Sequence, residues 1–279
     1  MPEMTRNYNP IALDGTALYN IGLDSIDPAT LGRYRDSLRA RKGGHPWLMM
    51  TDEEFVEVIG AAERGADGLL HPTGAGLLMF GREPYISNMY PNYNLDYRER
   101  YSAERWTFRL QSGSGEWSGN VFDFFTIVVE RLSVTAASPF RPEKITGSGR
   151  PDALPAASEA IVNALIHSDY NVRKGVVIKI DQENVIVANP GTFRVPLQDA
   201  VRGDACCPRN NRMMKMFSLI GLAEHVGYGV YDLFKSERDG AITDVKIEES
   251  RNPSRVTVKF GLSPDNALKN IKPTAPPSC

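Results

Sequence analysis

The chain has 279 residues, of which 42% are hydrophobic and 24% charged, with a formal net charge of −2. That length can bury a sizeable core and allows one large domain or two ordinary ones, and the near-neutral balance gives no global pull toward nucleic acid or an anionic membrane. No apolar run reaches the roughly 18 residues of a spanning helix, and Met1–Asn7 has no apolar stretch of the signal-peptide kind. Cys206 and Cys207 are adjacent and Cys279 is terminal; the spacing is not that of a metal site, and a reducing cytoplasmic setting is expected.

Residues 1–24 carry Asn, Pro and Gly without periodicity and read as an extended arm. Asp27-Pro28 begins a helix, with Asp27 as N-cap and Pro28 at the first helical position. Leu31, Tyr34 and Leu38 mark its buried face, while Arg33, Arg35, Arg39 and Arg41 read as a solvated one. Gly43-Gly44 ends it. Thr51 to Glu54 is a capping box, followed by Phe55, Val58 and Ile59 as inward positions. Asp67-Gly68 is a turn. Thr73 to Gly81 fits a buried strand or a short helix equally well, because apolar runs of that length carry no decisive period.

Residues 94–97 and 105–110 alternate polar with apolar, as half-buried strands do. Their interleaved Arg, Tyr and Trp fit a sheet core with exposed arginines better than a nucleic-acid contact. Residues 120–132 predict a helix. Pro139, Pro142, Pro151 and Pro155 surround Gly147-Ser148-Gly149, which predicts a domain boundary within 138–155. The second half then alternates: a helix over 154–168, strands at 176–180 and 185–188, an irregular stretch over 192–208, a helix over 212–220, another opened by Gly227-Tyr228-Gly229, and a closing hairpin around Asn252-Pro253. The expected organisation is an arm (1–24), a smaller helical and mixed α/β region (25–140), a main domain (141–262) and a loose tail (263–279). The fold class is α+β, with a two-layer α/β sandwich in the C-terminal half.

The chemistry concentrates in Glu159 to Tyr170. At 100° per residue, Ile161, Val162 and Leu165 share one side of the helix, and Glu159, Asn163 and His167 form a row on the other. A carboxylate one turn from an amide can hold Mg²⁺ bridging phosphates, since Mg²⁺ takes hard oxygen ligands and keeps several waters. The carboxylate can also orient or deprotonate a water. Asn189, at a strand end before Pro190-Gly191, offers a donor and an acceptor to a base edge. A glycine-opened helix at Gly227 to Gly229 presents free N–H groups to a phosphate. His167 and Asp169 read either as a base with its orienter or as a helix-terminal His favoured by the dipole, with Asp169 bonding the next turn.

Glu-x-x-x-Asn on a helix, a glycine-bearing strand end and a later Gly-x-Gly resemble the ATP-binding fold shared by DNA gyrase, heat-shock ATPases, histidine kinases and mismatch-repair ATPases (GHKL, or Bergerat fold). Glu159–Tyr170, Val185–Gly191 and Pro208–Gly229 resemble more closely the divergent branch of RecG-like, Schlafen/AlbA-type transcriptional regulators. Thr73–Gly81 is similar to the segment preceding the ATPase-like domain there. The resemblance implies Glu159 as the general base and Asn163 as the Mg²⁺ ligand. It implies Asn189 at the adenine amino group, Gly191 beneath the base, Arg209 and Asn210 in a lid spanning 192–226, and Gly227 and Gly229 at the phosphates. The implied cofactors are ATP and Mg²⁺. The implied partners are a nucleotide, DNA reached through a partner domain or chain, and a second copy in a homodimer.

The chain departs from that pattern in several places. Asn189 replaces the superfamily aspartate and loses a charge-assisted bond. Phe193 stands where a glycine is usual, Asn211 where the branch has Pro, and Ser168 where it has Arg. A separate AlbA-like N-terminal domain is also not evident. The expected function is therefore a nucleotide-dependent switch in a transcriptional regulator, at most a slow ATPase. The rival readings are a nucleotide-free interaction module and direct DNA binding through the arginines at 33–41 or 97–109. Phe193 or Arg194 filling the space beside Asn189 would favour the interaction module.

Overall fold

A computed structural model describes residues 13–101, 106–134, 152–181, 183–202, 207–222 and 229–262. Helix α1 (Pro28–Arg41) starts as its sequence dictates, with the Asp27 carboxylate accepting the Thr30 backbone N–H at 3.0 Å. Leu31, Tyr34 and Leu38 are buried. Helix α2 (Asp52–Val58) carries the full capping box at Thr51 and Glu54. Its buried stripe is Phe55, Val56 and Ile59, whereas Val58 is exposed; at 100° per residue, Val58 lies far off the centre of that stripe.

Strands β1 (Ala62–Arg64) and β2 (Leu70–Pro72) form a small antiparallel hairpin. The ambiguous apolar run after it is helix α3 (Gly74–Phe80), capped by Thr73 and buried at every residue. Its small residues are needed for close approach: a Cβ at Gly76 would lie 1.8 Å from the Ala61 carbonyl oxygen. Helix α4 (Glu83–Met89), strands β3 (Leu95–Arg100) and β4 (Phe108–Gln111) and helix α5 (Val121–Val134) complete the first half.

The second half supplies α6 (Leu154–His167), β5 (Val176–Asp181), β6 (Asn184–Pro190), α7 (Leu197–Arg202), α8 (Asn211–Leu219), α9 (Gly229–Arg238), β7 (Ile242–Arg251) and β8 (Ser254–Leu262). Helix α7 interrupts the stretch expected to be irregular, directly after Pro196.

A six-stranded mixed sheet organises these elements in the order β4-β3-β5-β6-β8-β7. The β3–β5 pair is parallel, running from Leu95 opposite Val176 to Arg100 opposite Asp181, and the other neighbours are antiparallel. Val176, Ile178, Ile180, Val185 and Val187 are buried, while Val177, Lys179 and Ile186 are at least partly exposed. That alternation is the mark of a sheet with helices on one face. Helices α5, α6 and α9 pack on it.

The sheet crosses the segment expected to divide two domains, because β3 from the first half pairs with β5 from the second. One apolar core likewise joins Tyr34, Phe55 and Phe80 to Leu165, Ile178 and Phe217. The Tyr34 hydroxyl reinforces it by donating to the Met216 carbonyl at 2.8 Å. The N-terminal arm is also drawn in: Ala17 bridges to Thr73, and Asp14 is buried. The tail from residue 263 and most of the 138–155 segment lie outside the described residues.

Candidate functional site

Helix α6 has the two faces its sequence predicts. Ile161, Val162 and Leu165 are buried in the core, and Glu159, Asn163 and His167 line up half-buried on the other side. The Asn163 Nδ2 donates to Glu159 Oε1 at 3.0 Å, so the carboxylate and amide expected to act together do meet. Helix α9 begins directly against them. A Cβ at Gly229 would fall 1.9 Å from Asn163 Nδ2 and 2.6 Å from its Oδ1. Only glycine lets the α9 backbone lie on that amide.

A cavity of about 80 Å³ lies between α6, α9 and the sheet. Asn163, Ala164 and His167 of α6, Gly229 and Leu233 of α9, and Val187, Asn189 and Val256 of the sheet line it. The segment after β6 closes it with Thr192, Phe193, Arg194 and Val195, and Cys207 joins the wall. Three stretches far apart in sequence, at 163, 189 and 229, thus face one space. Glu159, Gly191, Arg209 and Asn210 do not line it, and Gly227 lies outside the described residues.

The remaining expected residues have local tasks. Gly191 has φ of 105°, a backbone region that favours glycine, and a Cβ there would lie 2.7 Å from Arg209 Nε. The guanidinium therefore packs where a base would need to pass. Arg209 also donates from Nη2 to the Thr192 carbonyl at 2.8 Å. Asn210 closes the C-terminal end of α6: its backbone N–H donates to the Ile166 carbonyl at 3.0 Å, and its Nδ2 donates to Ile166 at 3.1 Å and Ser168 at 2.8 Å. Those are carbonyls a helix end leaves without intrahelical partners. Asn189 is buried, and its Nδ2 makes a 3.2 Å contact to the Pro190 carbonyl.

Sequence reasoning placed His167 at a helix end where the dipole favours a cation. The structure gives the opposite: burial, with the positive charges of Arg209 and Arg194, lowers its pKa to about 4. His167 is a neutral wall of the cavity near neutral pH. Asp169 does bond the following turn, accepting the Asn171 N–H at 3.1 Å. Val195, Cys207 and Leu233 carry no local signal that they share this cavity, because they converge only through tertiary packing.

The closing segment is pinned at both ends. The Phe193 N–H donates to Glu249 Oε1 at 2.9 Å, and Arg194 Nη1 donates to the Pro208 carbonyl at 3.1 Å. Ligand pockets for drug-sized molecules run to roughly 300–1,000 Å³, so the cavity as it stands is too small for a nucleotide. The polar groups nevertheless suit one: Asn163 and Glu159 offer hard oxygens, and α9 opens on a glycine. Among the described residues no three Asp, Glu, His or Cys side chains gather as an all-protein metal cage would need. Any Mg²⁺ here would share its ligation with phosphates and water.

Most of the described arginines weighed for nucleic acid are engaged within the chain. Arg33 pairs with Asp123 at 2.6 Å, Arg35 donates to the Met50 carbonyl at 2.7 Å, Arg39 pairs with Asp36, and Arg98 and Arg109 share Asp96. Among the described residues no helix is long and apolar enough to cross a membrane.

A family profile described as a domain of unknown function (DUF8451) matches residues 2–96. The crystal structure of the DIP2311 protein from Corynebacterium diphtheriae is similar to 90% of this chain with a TM-score of 0.64 and 19% sequence identity. The match covers 40% of that chain's length, and at such identity the likeness is one of fold. No curated protein matches the sequence.

Proposed function

We propose that the cavity under α9 is the base end of a nucleotide pocket and that the protein is a nucleotide-dependent binding switch rather than a catalyst. The observation that carries this reading is the meeting of Asn163, Asn189 and Gly229 around one space. Asn189 would face the base edge and Gly229 the phosphates, and Asn163 with Glu159 would hold a Mg²⁺. That metal supplies charge neutralisation of the phosphates when bound. The regulatory output follows from the closing segment. A nucleotide would have to displace Phe193 and Arg194, and a ligand that favours the displaced arrangement shifts the protein toward it. The resemblance to transcriptional regulators supplies the setting, in which DNA is reached through a partner domain or chain.

A second reading rests on a specific observation. Phe193 and Arg194 close the cavity that Asn189 lines, and it holds only about 80 Å³. A packing or interaction module that keeps the fold without a nucleotide has that appearance.

Calorimetric titration and thermal melting with ATP and Mg²⁺ separate the two. The switch reading expects binding that Asn163→Ala weakens only in the presence of Mg²⁺, and that Phe193→Ala strengthens by opening the space. Absence of heat and of any melting shift at millimolar ATP, in both the natural chain and Phe193→Ala, would sink it in favour of the packing module.

A further inference from the structure

Helices cover the face of the sheet that carries Val176, Ile178 and Val187. On the opposite face the strand register lines up a row of cations. Arg109 of β4 lies opposite Arg98 of β3, and Arg98 lies opposite Lys179 of β5. Lys179 lies opposite Ile186 of β6, Ile186 opposite Lys259 of β8, and Lys259 opposite Lys246 of β7. Every strand of the sheet but β6 therefore adds a basic side chain to one line. Neighbouring strands are about 4.8 Å apart, so the line runs roughly 24 Å across the sheet.

The needs of the fold do not account for this alignment. Like charges directly opposite one another on paired strands are destabilising. Lys179, Lys246 and Lys259 are exposed and make no hydrogen bond or ion pair among the described residues. Arg100 of β3, on the same face, is exposed and unpaired in the same sense. The acids of this face do not neutralise the lysines. Asp96 is taken by Arg98 and Arg109, and Asp181 Oδ1 accepts the backbone N–H groups of Glu183 and Asn184 at 2.9 and 2.8 Å. Arg255 adds a half-buried guanidinium at the β6 end of this face. It donates to the carbonyls of Lys174, Gly175 and Ala188 at 3.3 Å and has no carboxylate partner among the described residues. A chain with a net charge of −2 thus gathers unpaired positive charge on one open surface.

Such a surface selects a polyanion, and its shape narrows the choice. The line is one residue wide, with acids on both sides. Asp96 and Glu248 lie two positions from Arg98 and Lys246 along their strands, and Asp181 lies two positions beyond Lys179 on the other side. The plane of an anionic bilayer would meet those acids together with the lysines, whereas a single phosphate chain can follow the line alone. Ile186 sits half-buried in the middle of the row, and the Arg98 guanidinium lies 4.7 Å from the centroid of the Trp106 ring. Single strands bind where cations that track the backbone adjoin aromatic and apolar side chains that receive the bases. We propose that the open face of the sheet binds a single strand of nucleic acid, its phosphates following the row from Arg109 to Lys246 and its bases resting on Trp106 and Ile186. The inference stands apart from the nucleotide reading, since Asn163, Asn189 and Gly229 face the cavity on the helix-covered side.

Fluorescence anisotropy of the full chain with a labelled oligothymidylate of about 15 nucleotides tests it, a length within the usual range of single-strand sites. Affinity should fall with salt, with a logarithmic slope of about −0.7 for each phosphate neutralised. Replacing Lys179, Lys246 and Lys259 together by Gln should weaken binding by roughly tenfold or more and make the slope shallower by about 2. The unfolding midpoint should hold or rise, because these side chains have no partners to lose. Lys179→Gln alone should change the slope by about 0.7. Lys215→Gln with Lys235→Gln, exposed on α8 and α9, should leave affinity and slope as they are. No binding at low salt, natural affinity in the triple variant, or a tighter grip on a duplex or on polyglutamate than on the single strand would overturn the proposal.

Discussion

The buried charges of the first half and the polar row of α6 are satisfied in different ways. Asp123 accepts from Arg33 at 2.6 and 2.9 Å, from Thr30 at 2.7 Å and from Ser118 at 2.5 Å. Glu99 accepts Arg131 through two nitrogens at 2.7 and 3.0 Å, and the Tyr97 hydroxyl at 2.8 Å. Burial would push the Asp96 carboxyl up, yet the hydrogen bonds of Arg98 and Arg109 hold it below the ordinary range. Each of these carboxylates has a dedicated guanidinium. On α6, by contrast, Asn163 bonds its own neighbour Glu159, and His167 sits neutral beside two positive charges. Saturated networks fix one arrangement. Asn163 and His167 instead face a cavity, and that setting separates candidate site from scaffold.

The largest effect is expected where saturation is most complete. Asp123→Ala should cost about 3 kcal/mol, because it strands Arg33, Thr30 and Ser118 together; denaturant unfolding would read this as a lower midpoint. A cost under about 1 kcal/mol would mean that the network is a surface feature. Gly229→Ala comes next. Its methyl would collide with the Asn163 amide, so the Asn163 side chain or α9 must shift, at up to about 2 kcal/mol by the usual cost of overpacking. The variant should also lose any ATP-dependent melting shift.

His167 tests the α6 side by pH. Its folded pKa of about 4 lies below the roughly 6.5 of an unfolded histidine. As pH falls from about 6.5 toward 4, the unfolded chain takes up a proton that the folded one refuses. The stability is therefore full above the unfolded value and is lost on acidification, on the order of 2 kcal/mol by about pH 5. His167→Gln should flatten that part of the unfolding curve; an unchanged slope would show that His167 titrates normally. The smallest effect belongs to Asp36→Ala, which removes an exposed pair with Arg39 and should change stability by less than about 0.5 kcal/mol.

Much of the architecture was legible because its causes are local. Asp27 and Thr51 announce helix starts through side-chain caps that need only three following residues. Alternation at 176–190 announces strands, and the 3.6-residue period on α6 separates its core face from its polar face. The Thr73–Gly81 run was ambiguous because full burial erases periodicity; the near contact of Gly76 with Ala61 settles it as a helix packed at closest approach. Val58 was misread for a related reason: a two-turn helix has too few residues for its pattern to fix a direction.

By itself the sequence determined where several elements begin, which face of α1 and of α6 is apolar, and that Glu159, Asn163 and His167 share a helix side. Only the tertiary structure decided that β3 joins β5 in parallel and unites the two halves, since that pairing spans some 80 residues and has no local signature. It also decided that Asn210 caps α6, that Arg209 occupies the room above Gly191, and that Asp14 of the supposed arm is buried against α8. Caps and periods are written between residues a turn apart. Cavities and unsatisfied atoms are what remains after distant segments have packed, and their contents depend on all of those segments at once.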